Sequence, residues 1–155
     1  MNKQMSLSFI HDELKEVKTY KREFLEKMDA ILPWEQLYEL VKPCYYEGAR
    51  GNKPYDLELM LRIHLIQNLY DLSDKGTRNE IIDSRAFSDF CEVESSNQIP
   101  DGDTIGRFRN LLVRNQIHEQ FFAMVVKTLT DRGLILKKGT IVDSTIISAP
   151  SSTKN

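Results

Sequence analysis

The chain has 155 residues, of which 41% are hydrophobic and 28% are charged, and its formal net charge is −2. This length and composition fit one ordinary soluble domain, and the slightly negative charge excludes a uniformly basic nucleic-acid-binding protein, so a DNA-binding surface would have to be local. The sequence shows neither a signal peptide nor an apolar run of about 18 residues, so we expect no export and no membrane span.

The first predicted element is an amphipathic helix over residues 10–32. Its apolar residues recur alternately every three and four positions, with Lys21 filling the one gap, and they are Ile10, Leu14, Val17, Phe24, Met28 and Ile31. This spacing places them on one face of a helix. A self-pairing coiled coil with a lysine in its seam is a weak alternative, so we expect the helix to dock on the rest of the domain.

A second helix is predicted to begin at Pro33, which suits the first helical position, and to stop at Pro43. One of its faces carries Trp34, Leu37, Tyr38 and Val41. Residues 43–54 contain two glycines and two prolines together with Arg50 and Lys53, which predicts a basic loop. Such a loop can contact phosphate groups, although a basic loop is more often simply solvated.

The next helix, Leu57–Tyr70, is predicted to be the central helix of a bundle, with Asp56 as its N-cap. Its broad apolar surface contains Leu57, Met60, Leu61, Ile63, His64, Leu65, Ile66 and Leu69. A helix that is apolar on most sides must be covered by neighbours on most sides, which is the reason for placing it at the centre.

Two shorter helices are predicted after the central one. The first continues to Ile82 and is capped by Ser73 or Asp74. The second covers Arg85–Phe90. Three helices in close succession with brief turns resemble a helix-turn-helix arrangement, although many small bundles show the same pattern.

Residues 98–112 form the best candidate for contact with DNA, in a helix capped by Asp103 or Thr104. Its inward face is predicted to carry Ile105, Phe108 and Leu112. Its other sides carry Arg107, Arg109, Asn110 and Arg114. Arginine can bind phosphates or guanine edges and asparagine can pair with adenine. The alternative is a solvated helix face with salt bridges, and the sequence leaves both open.

A last helix is predicted over Ile117–Arg132, with Gly133 as its C-cap. Its apolar residues are Ile117, Phe121, Met124, Val125 and Leu129. Residues 134–136 and 140–147 then predict the two strands of a β-hairpin, because the second run is mostly β-branched or apolar.

Asp143 stands in the middle of the second predicted strand. An ionised carboxylate there is costly unless it faces water, a cation or several hydrogen-bond donors. Asp143 could therefore be an edge-strand aspartate exposed to solvent, or a metal ligand on the first strand of a catalytic sheet. Spacing alone does not choose between these two interpretations.

The cysteines and histidines give no sign of a metal site. Cys44 and Cys91 are isolated, which suits a reducing cytoplasm and argues against a disulfide or zinc framework. His11, His64 and His118 are also far apart along the chain, so we expect them to have structural roles.

Five stretches of the chain together carry a resemblance to a known family. They are LPWEQL at Leu32–Leu37, KPYDLELMLRIHLIQNLYDLSD at Lys53–Asp74, DSRAF at Asp83–Phe87, IPDGDTIGRFRNLL at Ile99–Leu112 and GTIVDSTIISAPSSTKN at Gly139–Asn155. In these stretches and in their order the chain resembles the insertion-sequence-five family of bacterial DDE transposases. The resemblance covers nearly everything after the first predicted helix.

The resemblance implies a mainly α fold followed by part of a ribonuclease-H-like domain. Residues 1–133 would form a helical DNA-binding and assembly region, and residues 134–155 would supply the first β-hairpin of the catalytic domain. In the family three acidic residues hold two divalent cations, and the first of them maps onto Asp143. No acidic residue follows Asp143, so we expect this domain to be incomplete and the chain to come from a truncated or split reading frame.

The function implied by the resemblance is that of the N-terminal part of a DDE transposase, which binds transposon-end DNA for cut-and-paste transposition. The predicted DNA-binding residues are Arg107, Arg109, Asn110, Arg114, Arg50 and Lys53. Strand cleavage and transfer in such enzymes use two metal ions about 4 Å apart. Asp143 alone supplies one ligand, so we expect the chain to be catalytically incomplete and to bind Mg²⁺ or Mn²⁺ only weakly by itself.

The expected partners are the terminal inverted repeats of the transposon and either a second copy of the chain or the missing C-terminal part of the transposase. No membrane partner is expected, and the predicted location is the bacterial cytoplasm, on the nucleoid when DNA is bound. The alternative function is regulatory: a truncated protein that binds the DNA ends or the transposase and inhibits the full enzyme.

Overall fold

The computed structural model describes residues 18–47 and 55–134, and within them it is mainly helical, as predicted. The α-helices are α1 (Tyr20–Ile31), α2 (Trp34–Glu47), α3 (Leu57–Leu69), α4 (Asp74–Asp83), α5 (Arg85–Cys91), α6 (Gly102–Arg114) and α7 (His118–Asp131), with a 3₁₀ turn at Ser96–Gln98. The predicted β-hairpin lies outside the described residues beyond Leu134. None of the described helices is long and apolar enough to cross a membrane.

Helix α3 is the central helix, which confirms the prediction from its composition. All eight apolar-surface positions named for it are buried. Helices α2, α4, α5 and α6 pack around it. Two polar side chains that the sequence did not mark as core, Arg62 and Gln67, are buried in it as well. Because α3 is covered on most of its sides, the outer helices take their positions by packing against it.

Helix α1 docks on the bundle as predicted, with Phe24, Leu25 and Met28 buried against α5 and α7. The prediction of one continuous helix over residues 10–32 was wrong, because residues 18 and 19 are not helical. The predicted face residues Ile10, Leu14 and Val17 lie outside the described residues. The Thr19 side-chain hydroxyl accepts a hydrogen bond from the Arg22 backbone N–H at 3.1 Å. This capping bond satisfies a first-turn donor and begins the helix at Tyr20.

Pro43 does not end α2, contrary to the prediction, because the helix continues through it to Glu47. A proline removes its own N–H from the helix and strains one turn, but neighbouring contacts can outweigh that cost. The Tyr45 ring packs edge-on against Phe108 of α6 at 5.6 Å between ring centres. Its hydroxyl also donates to the Tyr55 carbonyl, so tertiary contacts hold the turn that follows Pro43.

The helix ends follow local capping chemistry in most places. Ser73, one of the two residues predicted for this role, caps α4 by accepting the Gly76 N–H at 2.9 Å, and the alternative, Asp74, is the first residue of the helix. Gly133 closes α7 with a φ of 75°, while the Leu134 N–H donates to the Leu129 carbonyl at 2.8 Å, which confirms the C-cap.

The two other predicted N-caps have different outcomes. Asp56 occupies the N-cap position of α3, as predicted, although its side chain accepts no capping hydrogen bond. The cap of α6 is Asp101, whose carboxylate accepts the Thr104 N–H at 2.8 Å, and neither Asp103 nor Thr104 has that role. The cause is that α6 begins earlier, at Gly102, which places Asp103 and Thr104 inside its first turn.

Candidate nucleic-acid interface

Helix α6 presents one exposed polar stripe to solvent. Arg107, Asn110 and Arg114 are exposed and recur at intervals of three and four residues, which places them on one side of the helix. The opposite side carries Ile105, Phe108 and Leu112, all buried as predicted. The stripe therefore extends for about 10 Å along α6. The Arg107 Nη2 donates to the Thr104 hydroxyl at 3.2 Å.

Arg109 does not belong to this stripe, although the sequence grouped it with the other three residues. Its Nη2 lies 2.8 Å from Asp74 Oδ2 and its Nε lies 3.1 Å from Asp74 Oδ1. This is a bidentate ion pair between α6 and the first residue of α4. The hydrogen bond from Arg109 lowers the pKa of Asp74, and the same bond raises the pKa of Arg109. Arg109 therefore joins two helices, although 37% of its side chain remains exposed.

The ion pair is anchored in the core by Gln67 of α3. The Gln67 Nε2 donates to Asp74 Oδ1 at 2.7 Å and to the Leu72 carbonyl at 3.2 Å. Gln67 is itself only 4% exposed, so its side chain has little freedom to move. Through Gln67, Asp74 and Arg109, helix α6 is held at a fixed position on α3 and α4.

Glycines allow α4 and α6 to approach this closely. A Cβ at Gly106 would lie 2.7 Å from Asp74 Oδ2, which is closer than van der Waals contact. A Cβ at Gly102 would lie 3.3 Å from the Cα of Lys75. The bidentate pair consequently depends on a residue without a side chain at position 106.

We expect Gly106→Ala to lower the free energy of unfolding by about 1 kcal/mol, although alanine is the better helix former. Displacing Asp74 should cost about 1–3 kcal/mol, against a gain in helix propensity of about 1 kcal/mol. Urea denaturation measures the difference. In an Asp74→Ala background the space is free, so the same substitution should become stabilising. Equal effects of Gly106→Ala in the two backgrounds would show that Asp74 does not set the cost.

An open cleft of about 500 Å³ runs between the start of α4 and the polar stripe of α6. Its lining includes Lys75, Asp103, Arg107 and Asn110. Lys75 is exposed and adds a positive charge that the sequence analysis did not connect with α6. This proximity could not be predicted from the sequence, because Lys75 and Arg107 are distant along the chain and come to line one cleft only when α4 packs on α6.

Three of the predicted site residues lie outside the described residues: Arg50, Lys53 and Asp143. Within residues 18–47 and 55–134, no three histidine, cysteine, aspartate or glutamate side chains come together as a group that could hold a metal ion. Asp143 lies outside the described residues, so its predicted role as a metal ligand stays a prediction.

The structure also brings together two histidines that the sequence left apart. His64 Nε2 lies 3.2 Å from His118 Nδ1, and His64 is 1% exposed among Phe108, Phe121 and Phe122. Burial lowers the pKa of His64 to about 3, and burial also lowers the pKa of His118. The pair joins α3 to α7 as two neutral rings, which agrees with the predicted structural role of both residues.

Comparison with known proteins gives a match over much of this region. The family model described as "Transposase domain (DUF772)" matches residues 12–111, which is more than half of the chain. The match includes Asp74, Arg107, Arg109 and Asn110, and it ends before Arg114. No solved structure matches the chain.

Proposed function

Because that match covers most of its length, the chain belongs to the transposase domain family DUF772, and we propose that it is the part of a transposase that binds the DNA of a mobile element. Belonging to the family supports a role in transposition, whereas the contact with DNA is the proposal. The DNA would be the terminal inverted repeats, and the reaction would be cut-and-paste transposition by the complete enzyme.

The observation that carries the proposal is the exposed stripe of α6. An α-helix fits into the major groove, where arginine and asparagine side chains can reach base edges and phosphates. Arg107, Asn110 and Arg114 are exposed in a row. The position of α6 is fixed by the ion pair of Arg109 with Asp74 of α4 and by the burial of its apolar side in the core. A polar row on a helix with a fixed position is the arrangement that groove recognition requires.

We assign the positive charges of this surface to phosphate contacts. Arg107 and Arg114 lie on the stripe, and Lys75 lies beside it across the cleft. Arg50 and Lys53 would add contacts from the basic segment before α3. Asp143 would be the first ligand for Mg²⁺ or Mn²⁺ in the complete enzyme, where further carboxylates are needed to hold two ions.

The test is a binding titration of wild type, Arg107→Ala and Arg114→Ala against the element's terminal DNA and a scrambled duplex. If the arginine contacts a phosphate, its alanine variant should bind both DNAs more weakly by the same factor. The slope of log K against log salt should then become less negative by about 0.9 for each contact removed. A base contact should cost roughly 1–3 kcal/mol on the terminal DNA alone.

The matched control is Lys27→Ala, which removes one exposed positive charge from α1, a helix that packs on α5 and α7. It should change binding far less than the α6 variants. If the α6 variants and the Lys27 variant bind both DNAs as wild type does, the stripe is not the DNA-binding surface, and the regulatory alternative would have to act through protein contacts.

A further inference from the structure

We propose that Asn110 distinguishes adenine from guanine in the bound DNA, and that Arg109 and Asp74 are positioning residues that fix the orientation of the Asn110 amide. This inference rests on the proposed function, since it needs α6 to face the major groove. It goes further by assigning one base-reading residue and the side chains that orient it.

The orientation of the amide follows from the chemistry of its neighbour. Arg109 Nη1 lies 3.2 Å from Asn110 Oδ1. A guanidinium group has only donors, so the atom of Asn110 that faces it must be the amide oxygen. The Nδ2 group of Asn110 is therefore directed away from Arg109. On an exposed helix surface without such a neighbour, an asparagine amide could turn over to suit either kind of partner.

Arg109 can hold this orientation because its own position is fixed. Two of its guanidinium nitrogens, Nε and Nη2, are bound by Asp74, and the remaining one, Nη1, contacts Asn110. Asp74 is in turn held by the buried Gln67 at 2.7 Å. A continuous series of hydrogen bonds thus runs from the core of α3 to the exposed stripe of α6.

A fixed amide recognises adenine in preference to guanine. In the major groove adenine presents the N7 acceptor and the N6 donor, which match Nδ2 and Oδ1 of asparagine. The amide oxygen has two lone pairs, so Oδ1 can accept from Arg109 and from adenine N6 together. Guanine presents two acceptors, N7 and O6. With the amide held in place, Oδ1 would face O6, and the two acceptors would repel each other.

The experiment is a selection of bound duplexes from a randomised library by wild type, Asn110→Ala and Arg109→Lys. Wild type should enrich adenine at one position, and Asn110→Ala should lose that preference at this position only, by about 5- to 150-fold. Arg109→Lys keeps the charge and can still pair with Asp74, but one ammonium group lacks the planar fork that reaches Asn110 as well. The Arg109→Lys variant should lose the preference for adenine over guanine, while the salt dependence of its DNA affinity should stay that of wild type.

A second measurement needs no DNA and separates orientation from folding. In the free protein, NMR relaxation of the Asn110 side-chain NH₂ group should show restricted motion in wild type and free motion in Arg109→Lys. Thermal unfolding of each variant checks that the domain remains folded. Arg107→Lys, a charge-conserving change on the same helix, is the control and should leave the Asn110 amide restricted.

The outcomes separate this inference from the proposed function. If Asn110→Ala keeps the adenine preference, the inference is wrong, and the proposed function stands as long as Arg107→Ala and Arg114→Ala weaken binding. If Asn110→Ala loses the preference but Arg109→Lys retains it with a restricted amide, the positioning role is wrong. If wild type binds no DNA, the proposed function fails and the base-reading role fails with it.

Discussion

Arg62→Ala is expected to lower the free energy of unfolding by about 3 kcal/mol, because the guanidinium of Arg62 connects four helices inside the bundle. Arg62 is 8% exposed. Its Nη1 donates to the Phe90 carbonyl at 2.9 Å and its Nη2 donates to Asp29 Oδ1 at 3.0 Å. The guanidinium also lies 4.3 Å from the centre of the Trp34 ring. Truncation would leave a buried carbonyl without its donor and an unfilled space between α3 and α5.

Asp29 contributes less to this effect than Arg62 does. Its side chain is 39% exposed, so water can solvate the carboxylate when the arginine is gone. Most of the loss should therefore come from the Phe90 carbonyl and from the contacts of the guanidinium with the rings of Trp34 and Phe90. Urea denaturation of wild type and variant gives the difference in free energy of unfolding.

Two control variants show whether the loss comes from the buried contacts of Arg62. Arg107→Ala removes an exposed arginine and should change stability by no more than about 0.5 kcal/mol. Arg62→Met keeps an apolar side chain of similar length but has no hydrogen-bond donor. This variant should therefore lose less free energy of unfolding than Arg62→Ala, and the remaining loss should come from the unpaired Phe90 carbonyl and the lost cation–π contact. A loss below about 1 kcal/mol for Arg62→Ala would mean that the arginine fills space without joining the helices.

Acidification from pH 7.5 to 5 should lower the free energy of unfolding by about 2 kcal/mol through His64 alone. Burial lowers the pKa of His64 from 6.5 to about 3, and the neighbouring His118 and Arg109 act in the same direction. The unfolded chain therefore binds a proton near pH 6.5 that the folded chain does not accept. Stability falls as the pH drops below about 6.5, and the loss continues until the pH nears the folded value of about 3.

The pH dependence is measured by denaturation at several pH values between 5 and 7.5 for wild type and His64→Gln. The variant should be less stable at pH 7.5 but should lose much less stability on acidification. His118→Gln retains His64 and should keep most of the pH dependence. If His64→Gln and wild type lose the same free energy, another group is responsible, and His64 is not the residue that resists protonation.

Several features could be predicted from the sequence because they depend on neighbouring residues. The apolar pattern of Leu57–Leu69 predicted the central helix, and the pattern of α6 predicted the burial of Phe108 and Leu112. Ser73 and Gly133 were found as caps because capping involves residues three or four positions apart. The exposed positions of Arg107 and Asn110 follow from the same helical periodicity.

Contacts between distant parts of the chain decided the remaining features. Arg107 and Arg109 are both arginines of helix α6, but the partner of Arg109, Asp74, is 35 residues away in the sequence. The sequence therefore could not show that Arg109 forms an ion pair while Arg107 remains exposed. The continuation of α2 beyond Pro43 depends on Tyr45 packing against Phe108 of α6. Helical periodicity shows which face of a helix is buried, because that face is set by side-chain spacing along a single element. Which polar groups are paired is set by the packing of one helix on another, and here that packing left Arg107, Asn110 and Arg114 exposed and made Arg109 a link between α4 and α6.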